Sequence, residues 1–229
     1  MCESDLPCIP ETDAVVLLSG GIDSTTLLYL VARTYGVEAV EALSLHYGQR
    51  HSKELRCAEL TCKNLGVRHT VVDVSGIRKL LKGSALTDDI EVPEGHYSDE
   101  TMKVTVVPNR NMILLSLAMA KAISSAAGAV FYAAHAGDHL IYPDCRPEFL
   151  RAIREVAKVA DFHQVKIYTP FLEWRKDRIV RLGMALGVDY SLTWSCYKGQ
   201  EKACGKCGTC VERLEAFSLV GVKDPIEYA

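Results

Sequence analysis

No apolar run in this chain is long enough to span a bilayer, which sets aside a membrane-crossing helix. Charge of one sign is also missing in excess. The formal net charge is −3, so no global positive field would draw in nucleic acid, which is not an expected partner. The first residues, Met1 to Thr12, lack the apolar core of a signal peptide and carry Pro7 and Pro10. They read as a loose tail, and a cytoplasmic location is expected. There is no internal repeat, low-complexity run or composition break that would split the chain. What remains is an ordinary globular composition, 48% hydrophobic and 24% charged over 229 residues. That length suits one α/β domain with a sizeable core and a small appendage. The cysteines number nine, and in a cytosolic chain they are metal ligands or buried thiols sooner than disulfides.

The hydrophobic pattern alternates between two periods. Apolar runs at Val15–Ser19, Val40–Leu45, His69–Val74, Ala129–Ala134 and Val165–Tyr168 read as strands. Helical spacing is expected from about Ser24 to Tyr35, from Ser52 to Leu65, over Met112–Ala127, from Arg146 to Asp161 and over Lys176–Leu186. Such alternation predicts a mostly parallel sheet with helices on both faces. Ligands then bind at the carboxyl edge of the strands. Periodicity fails from Gly83 to Val107, where a lid and a plain surface loop remain equal alternatives. The division expected is 13–190 for the nucleotide-binding part and 191–229 for a C-terminal segment of the same compact unit.

The first strand runs into Leu18-Ser19-Gly20-Gly21-Ile22-Asp23-Ser24-Thr25-Thr26-Leu27-Leu28. A strand entering a helix through glycines makes an anion site from backbone amides and the helix dipole. Ser19 and Ser24 add hydroxyls, and Ser24 is placed to cap the helix. Asp23 would repel a phosphate unless a divalent cation lies between them. No Gly-Lys-Ser/Thr follows, so this is not a Walker loop.

Near the other end stand Cys196, Cys204, Cys207 and Cys210. Two overlapping Cys-x-x-Cys turns return thiolates to one point, and Cys196 reaches them across a short loop. Four thiolates close a tetrahedral shell, which favours structural zinc. Cysteine alone does not name the metal, and an iron–sulfur cluster stays open. The segment is too poor in apolar residues to fold without the ion.

The run Ser19-Gly20-Gly21-Ile22-Asp23-Ser24 resembles the pyrophosphate-binding turn of the ATP pyrophosphatases. Five further motifs follow in order: Tyr47-Gly48-Gln49-Arg50-His51, Val107-Pro108-Asn109-Arg110-Asn111, Tyr142-Pro143-Asp144-Cys145-Arg146, Ser195-Cys196-Tyr197 and Cys204 to Cys210. Together they resemble the 7-cyano-7-deazaguanine synthases of queuosine biosynthesis, with departures at His46, His135–Asp138, Leu140-Ile141 and Arg178. The resemblance implies a Rossmann-like, adenine nucleotide alpha hydrolase-like fold and a homodimer. It implies ligation of ammonia to 7-carboxy-7-deazaguanine with ATP and magnesium, releasing AMP and pyrophosphate. Under that reading Leu18 to Leu28 hold nucleotide, and Asp23, Ser24, Lys176 and Arg110 stabilise charge. Arg50, His51, Asp144 and Arg146 are the candidates for substrate. His51 and His135 are expected to be hydrogen-bonded supports, Cys145 a small buried thiol, and Phe162, Tyr168 and Trp174 core or pocket wall. Other readings remain: a ligase for another amine, a tRNA thiolase, and a nucleotide sensor without catalysis.

Overall fold

A computed structural model describes residues 13–49, 53–96, 100–199 and 201–229. Arg50 and His51 lie outside the described residues. The apolar runs form β1 (Ala14–Leu17), β2 (Val40–His46), β3 (Arg68–Asp73), β4 (Ala129–Phe131) and β5 (Lys166–Tyr168). They make a five-stranded sheet in the order β3-β2-β1-β4-β5. Every neighbouring pair is parallel, with Ala14 opposite Val40 on one side and Ala129 on the other. The central strand β1 is buried along its whole length, as expected of a parallel sheet covered on both faces.

The helices are α1 (Ile22–Tyr35), α2 (Lys53–Leu65), α3 (Arg110–Ser124), α4 (Pro147–Val159), α5 (Lys176–Leu186) and α6 (Gly208–Val220). One core joins α1, α2, α5 and α6 to one sheet face through Leu27, Leu28, Ala58, Ile179, Val180 and Phe217. The other joins α3 and α4 to the opposite face through Leu115, Ala118, Leu150 and Ile153. Truncating one fully buried leucine, such as Leu27 or Leu150, costs about 2–5 kcal/mol, because the cavity adds to the lost transfer energy.

Three elements differ from expectation. α1 begins at Ile22 with Gly21 as its cap residue, so Ser24 is already inside the helix and does not cap it from outside. α3 begins at Arg110 and not at Met112. α6 was not expected at all. It starts within the cysteine motif, and its buried residues include Gly208, Thr209 and Arg213, so no clean apolar stripe marks it. The aperiodic stretch before α3 is anchored: Ala85 and Met102 are fully buried, and the Gly95 amide bonds the Lys206 carbonyl at 3.0 Å. Phe162, expected in the core or pocket wall, is fully exposed, whereas Tyr168 and Trp174 pack against the first core.

Candidate active site

The strand order reverses between β1 and β4, and connections from these strands leave in opposite directions. Parallel sheets open a crevice at such a point. A cavity lies there, lined by Leu18, Ser19, Gly21, Asp23 and Ser24 of the glycine turn. Its other walls include Glu54, Arg110, Asn111, Tyr132, His135, Asp138, Tyr142, Lys176, Ser195 and Tyr197.

The turn is held by its own serines and by two neighbours. Ser24 Oγ accepts from the Ser19 amide at 3.1 Å, and the two hydroxyl oxygens lie 2.9 Å apart. Gly20 has φ +85°, and a Cβ there would sit 2.1 Å from the Glu54 carbonyl oxygen. Only glycine permits both the left-handed backbone and this approach. The Gly20 carbonyl in turn accepts from the Trp194 amide at 2.9 Å. Of the residues expected to hold nucleotide, Leu18, Ser19, Gly21, Asp23 and Ser24 face the cavity. Gly20 turns to α2, while Ile22, Thr25, Thr26, Leu27 and Leu28 lie on the buried side of α1. Helical period explains the difference, since consecutive residues of α1 cannot all face one ligand.

A charged cluster stands beside the turn. Lys176 Nζ is 3.3 Å from Asp23 Oδ2 and 2.5 Å from Glu212 Oε2. His135 Nε2 lies 3.6 Å from Asp23 and 3.5 Å from Asp138, and His135 Nδ1 accepts from the Gly137 amide. His135 is thus hydrogen-bonded, as expected, and stands between Asp23 and Asp138. Burial works against the Lys176 charge, but Asp23, Glu212 and Asp138 outweigh it and hold the ammonium above the usual lysine range. Burial raises the Asp138 carboxyl, with His135 and Lys176 partly opposing. Asp23 Oδ1 is buried without a hydrogen-bond partner among the described residues. Three carboxylates facing one ammonium and one histidine leave a negative surplus beside an orphaned oxygen, which fits a divalent cation.

Further in, the cavity is phenolic. Arg110 lies 5.8 Å from the Tyr142 ring centre. Burial works against its charge, but Tyr47, Tyr142, Tyr132 and Tyr197 outweigh it and hold the guanidinium firmly protonated. The Tyr142 and Tyr197 hydroxyls are 3.1 Å apart. Cys145 Sγ is held by the Asn111 amide group at 3.3 Å and lies 3.2 Å from the Tyr132 hydroxyl. Burial pushes this thiol well up, which favours the protonated sulfur. Asp144 Oδ2 accepts from the Asn111 amide at 3.0 Å and so caps α3. Arg146 departs from its expected place. It is exposed, and its guanidinium is bound to the His139 and Leu140 carbonyls, away from the cavity lining. Arg178 also points elsewhere, 3.7 Å from the Trp174 ring.

The four cysteine sulfurs all lie within 4.8 Å of one another and are buried. Cys204 and Cys210 sulfurs are 3.9 Å apart. A tetrahedron with metal–sulfur bonds of about 2.3 Å has edges of about 3.8 Å, so the spacing suits a metal ion. The Cys207 and Lys206 amides point to Cys204 Sγ at 3.3 and 3.4 Å, stabilising a thiolate. The Cys207 thiol is driven down by hydrogen bonds from Cys196 and Cys210. This centre is joined to the cavity, because Trp194, Ser195, Tyr197 and Thr209 both flank the cysteines and line the wall.

Residues 13–221 match the family model described as "Queuosine biosynthesis protein QueC". The chain belongs to this family. It is 56% identical over 228 residues to the 7-cyano-7-deazaguanine synthase of Hahella chejuensis, covering 100% of this chain and 97% of that one. It is 58% identical over 214 residues to 7-cyano-7-deazaguanine synthase 1 of Colwellia psychrerythraea, covering 93% and 97%. Among solved structures it resembles the U34-tRNA thiolase NcsA from Methanococcus maripaludis, described with a [4Fe-4S] cluster. That match has a TM-score of 0.52 and 15% identity, covering 82% of this chain and 62% of that one. NMN synthetase from Francisella tularensis matches with a TM-score of 0.50 and 17% identity over 93% and 79%. These two structural likenesses support the fold alone.

Sequence reasoning did not single out Glu54, Glu212 or Tyr132 for this QueC-family site, and it quoted Asp138 and Tyr197 in motifs without giving either a role. Asp138 stood after a strand end, which was a usable signal. Glu212 sits on the unexpected α6. Glu54 reads as a solvated residue in the first turn of an amphipathic helix.

Proposed function

We propose that this chain is a 7-cyano-7-deazaguanine synthase that activates 7-carboxy-7-deazaguanine by adenylation. The observation that carries this reading is one cavity in which the glycine turn and Lys176 meet the Arg110–tyrosine chamber. A carboxylate oxygen is a poor leaving group. Attack of that oxygen on the α-phosphorus of ATP expels pyrophosphate and gives an acyl-adenylate. Ammonia then displaces AMP and leaves the amide. A second ATP adenylates the amide oxygen, and loss of AMP leaves the nitrile.

The protein's part is positioning and charge stabilisation. Ser19, Gly21 and Ser24 bind the departing pyrophosphate at the start of α1. Lys176, firmly protonated, offsets charge where the α- and β-phosphates separate. Asp23 and Asp138 would hold magnesium, whose charge balances that of the phosphates. The planar base stacks in the phenolic chamber, with Arg110 toward its carboxylate and Asp144, just outside the lining residues, toward its N–H edge. Cys196, Cys204, Cys207 and Cys210 would hold zinc in a closed structural shell. A homodimer and a cytoplasmic location belong to the same reading; among the described residues no helix is long and apolar enough to cross a membrane.

The test is pyrophosphate release with 7-carboxy-7-deazaguanine and ammonium, followed by product mass. Wild type should release pyrophosphate and form the nitrile, and Asp23→Ala should lose both. Release of ADP, or transfer of the acyl group to another amine only, would contradict the reading.

A further inference from the structure

The reaction above demands a proton acceptor that the assigned residues do not supply. At neutral pH nearly all ammonia is ammonium, which has no free electron pair. The amide must later shed both of its N–H protons to become a nitrile. Lys176 and Arg110 are held protonated by their neighbours. The Tyr132 hydroxyl and Cys145 thiol keep their protons because burial pushes both well up. His135 Nδ1 is occupied by the Gly137 amide, and its Nε2 faces Asp23 and Asp138. Asp144 is bound to the start of α3.

The cavity wall carries three carboxylates among the described residues, and Asp23 and Asp138 face His135 and Lys176, which leaves Glu54. It stands in the first turn of α2. Its own carbonyl is pressed against Gly20, so its backbone is fixed next to the turn assigned to pyrophosphate. Glu54 shares the wall with Ser19, Tyr47 and Arg110, and its carboxylate is within electrostatic reach of Arg110 and Tyr47. We propose, resting on the adenylation reading, that the Glu54 carboxylate takes the protons from the reacting nitrogen in both rounds.

In the first round Glu54 accepts a proton from ammonium. The freed pair on nitrogen bonds to the acyl carbon, and the carbon–oxygen π pair moves to oxygen. Collapse of that adduct breaks the bond to AMP, which leaves with its electron pair. The extra N–H proton goes to Glu54 once the carboxylate has released the first to solvent. In the second round the adenylated amide loses one N–H proton to Glu54. AMP then departs with its electron pair as the carbon–nitrogen triple bond forms. The last N–H proton follows the same route.

The electrostatics agree with this placement. Burial pushes the Glu54 carboxyl up to about 7, and Arg110 of α3 draws it back. Tyr47, just after β2, and Cys57 of α2 also feel its charge, and Lys53 precedes it on α2. A base whose pKa sits near the working pH is the most effective acceptor.

The test compares Glu54→Gln with wild type at neutral pH in two assays. The first is exchange of labelled pyrophosphate into ATP, dependent on 7-carboxy-7-deazaguanine and without amine. The second is acyl transfer to ammonium or to hydroxylamine, which is mostly unprotonated at that pH. The proposal expects exchange within about 3-fold of wild type, which also shows that the variant is folded. Transfer to ammonium should fall by about 100-fold or more, the usual size of proton-transfer catalysis, while transfer to hydroxylamine stays within about 5-fold. Glu54→Asp should recover part of the ammonium rate. Equal losses with both amines would overturn the proposal, as would no loss with ammonium. Loss of exchange in Glu54→Gln alone would assign Glu54 to adenylation and overturn it as well. Absence of exchange in wild type would instead defeat the adenylation reading.

Discussion

Lys176, at the start of α5, is ion-paired at 3.3 Å with Asp23, in the first turn of α1. The contact ties the switch point to the glycine turn, and α1 and α5 pack tightly behind it. Glu212 of α6 completes the arrangement at 2.5 Å from the ammonium. Removing the ammonium would leave Asp23, Asp138 and Glu212 facing one another. Lys176→Ala should therefore lower turnover by about 100- to 1,000-fold, the range for a lost charge-stabilising donor. Lys176→Arg should recover little, because a planar fork does not fit a site built for a point charge. Rates of pyrophosphate exchange check both.

Asp144 serves two purposes in this account, and they separate by substitution. Asp144→Asn keeps an oxygen for the Asn111 amide, so stability should fall by less than about 1 kcal/mol. Its lost charge should raise KM for the deazaguanine by about 10-fold or more, since a hydrogen bond to a charged group is worth about 1.5–3 kcal/mol. KM for ATP should stay near wild type. Steady-state kinetics with either substrate varied make the comparison.

Arg213 and Asp224 form a buried two-point ion pair, at 2.6 and 2.9 Å. The same guanidinium donates to Thr193 Oγ1 at 2.8 Å and the Tyr190 carbonyl at 3.1 Å. This joins α6 to the segment that leads to Trp194 and the glycine turn. Arg213→Ala leaves a buried carboxylate unpaired and should cost about 3–5 kcal/mol. Urea unfolding measures it, with wild type as reference.

Stripping the metal should loosen both the four-cysteine segment and the turn that Trp194 holds. The Trp194 indole donates to the Cys196 carbonyl at 3.1 Å, and its own backbone amide holds Gly20. Trp194 fluorescence should shift to the red as metal is removed by chelator, with nucleotide affinity falling in parallel. Metal analysis should give about one zinc per chain in the starting protein. Returning zinc should restore both signals.

Acid-to-neutral titration should move transfer to ammonium upward. Glu54 accepts protons only when ionised, so the rate should rise with pH through about 7 and level off above it. Glu54→Gln should show no break at that pH and should instead climb in proportion to free ammonia. The sign for stability is opposite. A carboxyl raised in the fold binds more protons folded than unfolded, so its contribution declines as pH climbs from the ordinary carboxyl range to about 7. Single-turnover rates and unfolding curves over that window read the two effects.

The sheet was legible because β1, β2 and β4 are apolar runs followed by glycine or polar turns. The turn at Gly20 and the four cysteines were legible because each chemistry needs fixed residue types at short spacing. What the sequence hid depends on long-range contact. Glu54 and Glu212 look like solvated helix positions, and only folding turns Glu54 to the cavity and Glu212 to Lys176. Arg146 looked like a substrate ligand, yet nearby carbonyls claim its guanidinium. α6 was hidden because its buried side includes Thr209 and Arg213, which bond to backbone and Asp224 in place of packing as apolar groups.

The central claim is that an oxygen of the acid is joined to the α-phosphorus at the glycine turn. It is tested most directly with 7-carboxy-7-deazaguanine carrying oxygen-18 in both carboxyl positions, run to nitrile with ATP and ammonium. AMP from each round should carry one heavy oxygen and the pyrophosphate none. Unlabelled AMP, or heavy oxygen recovered in inorganic phosphate, would contradict it.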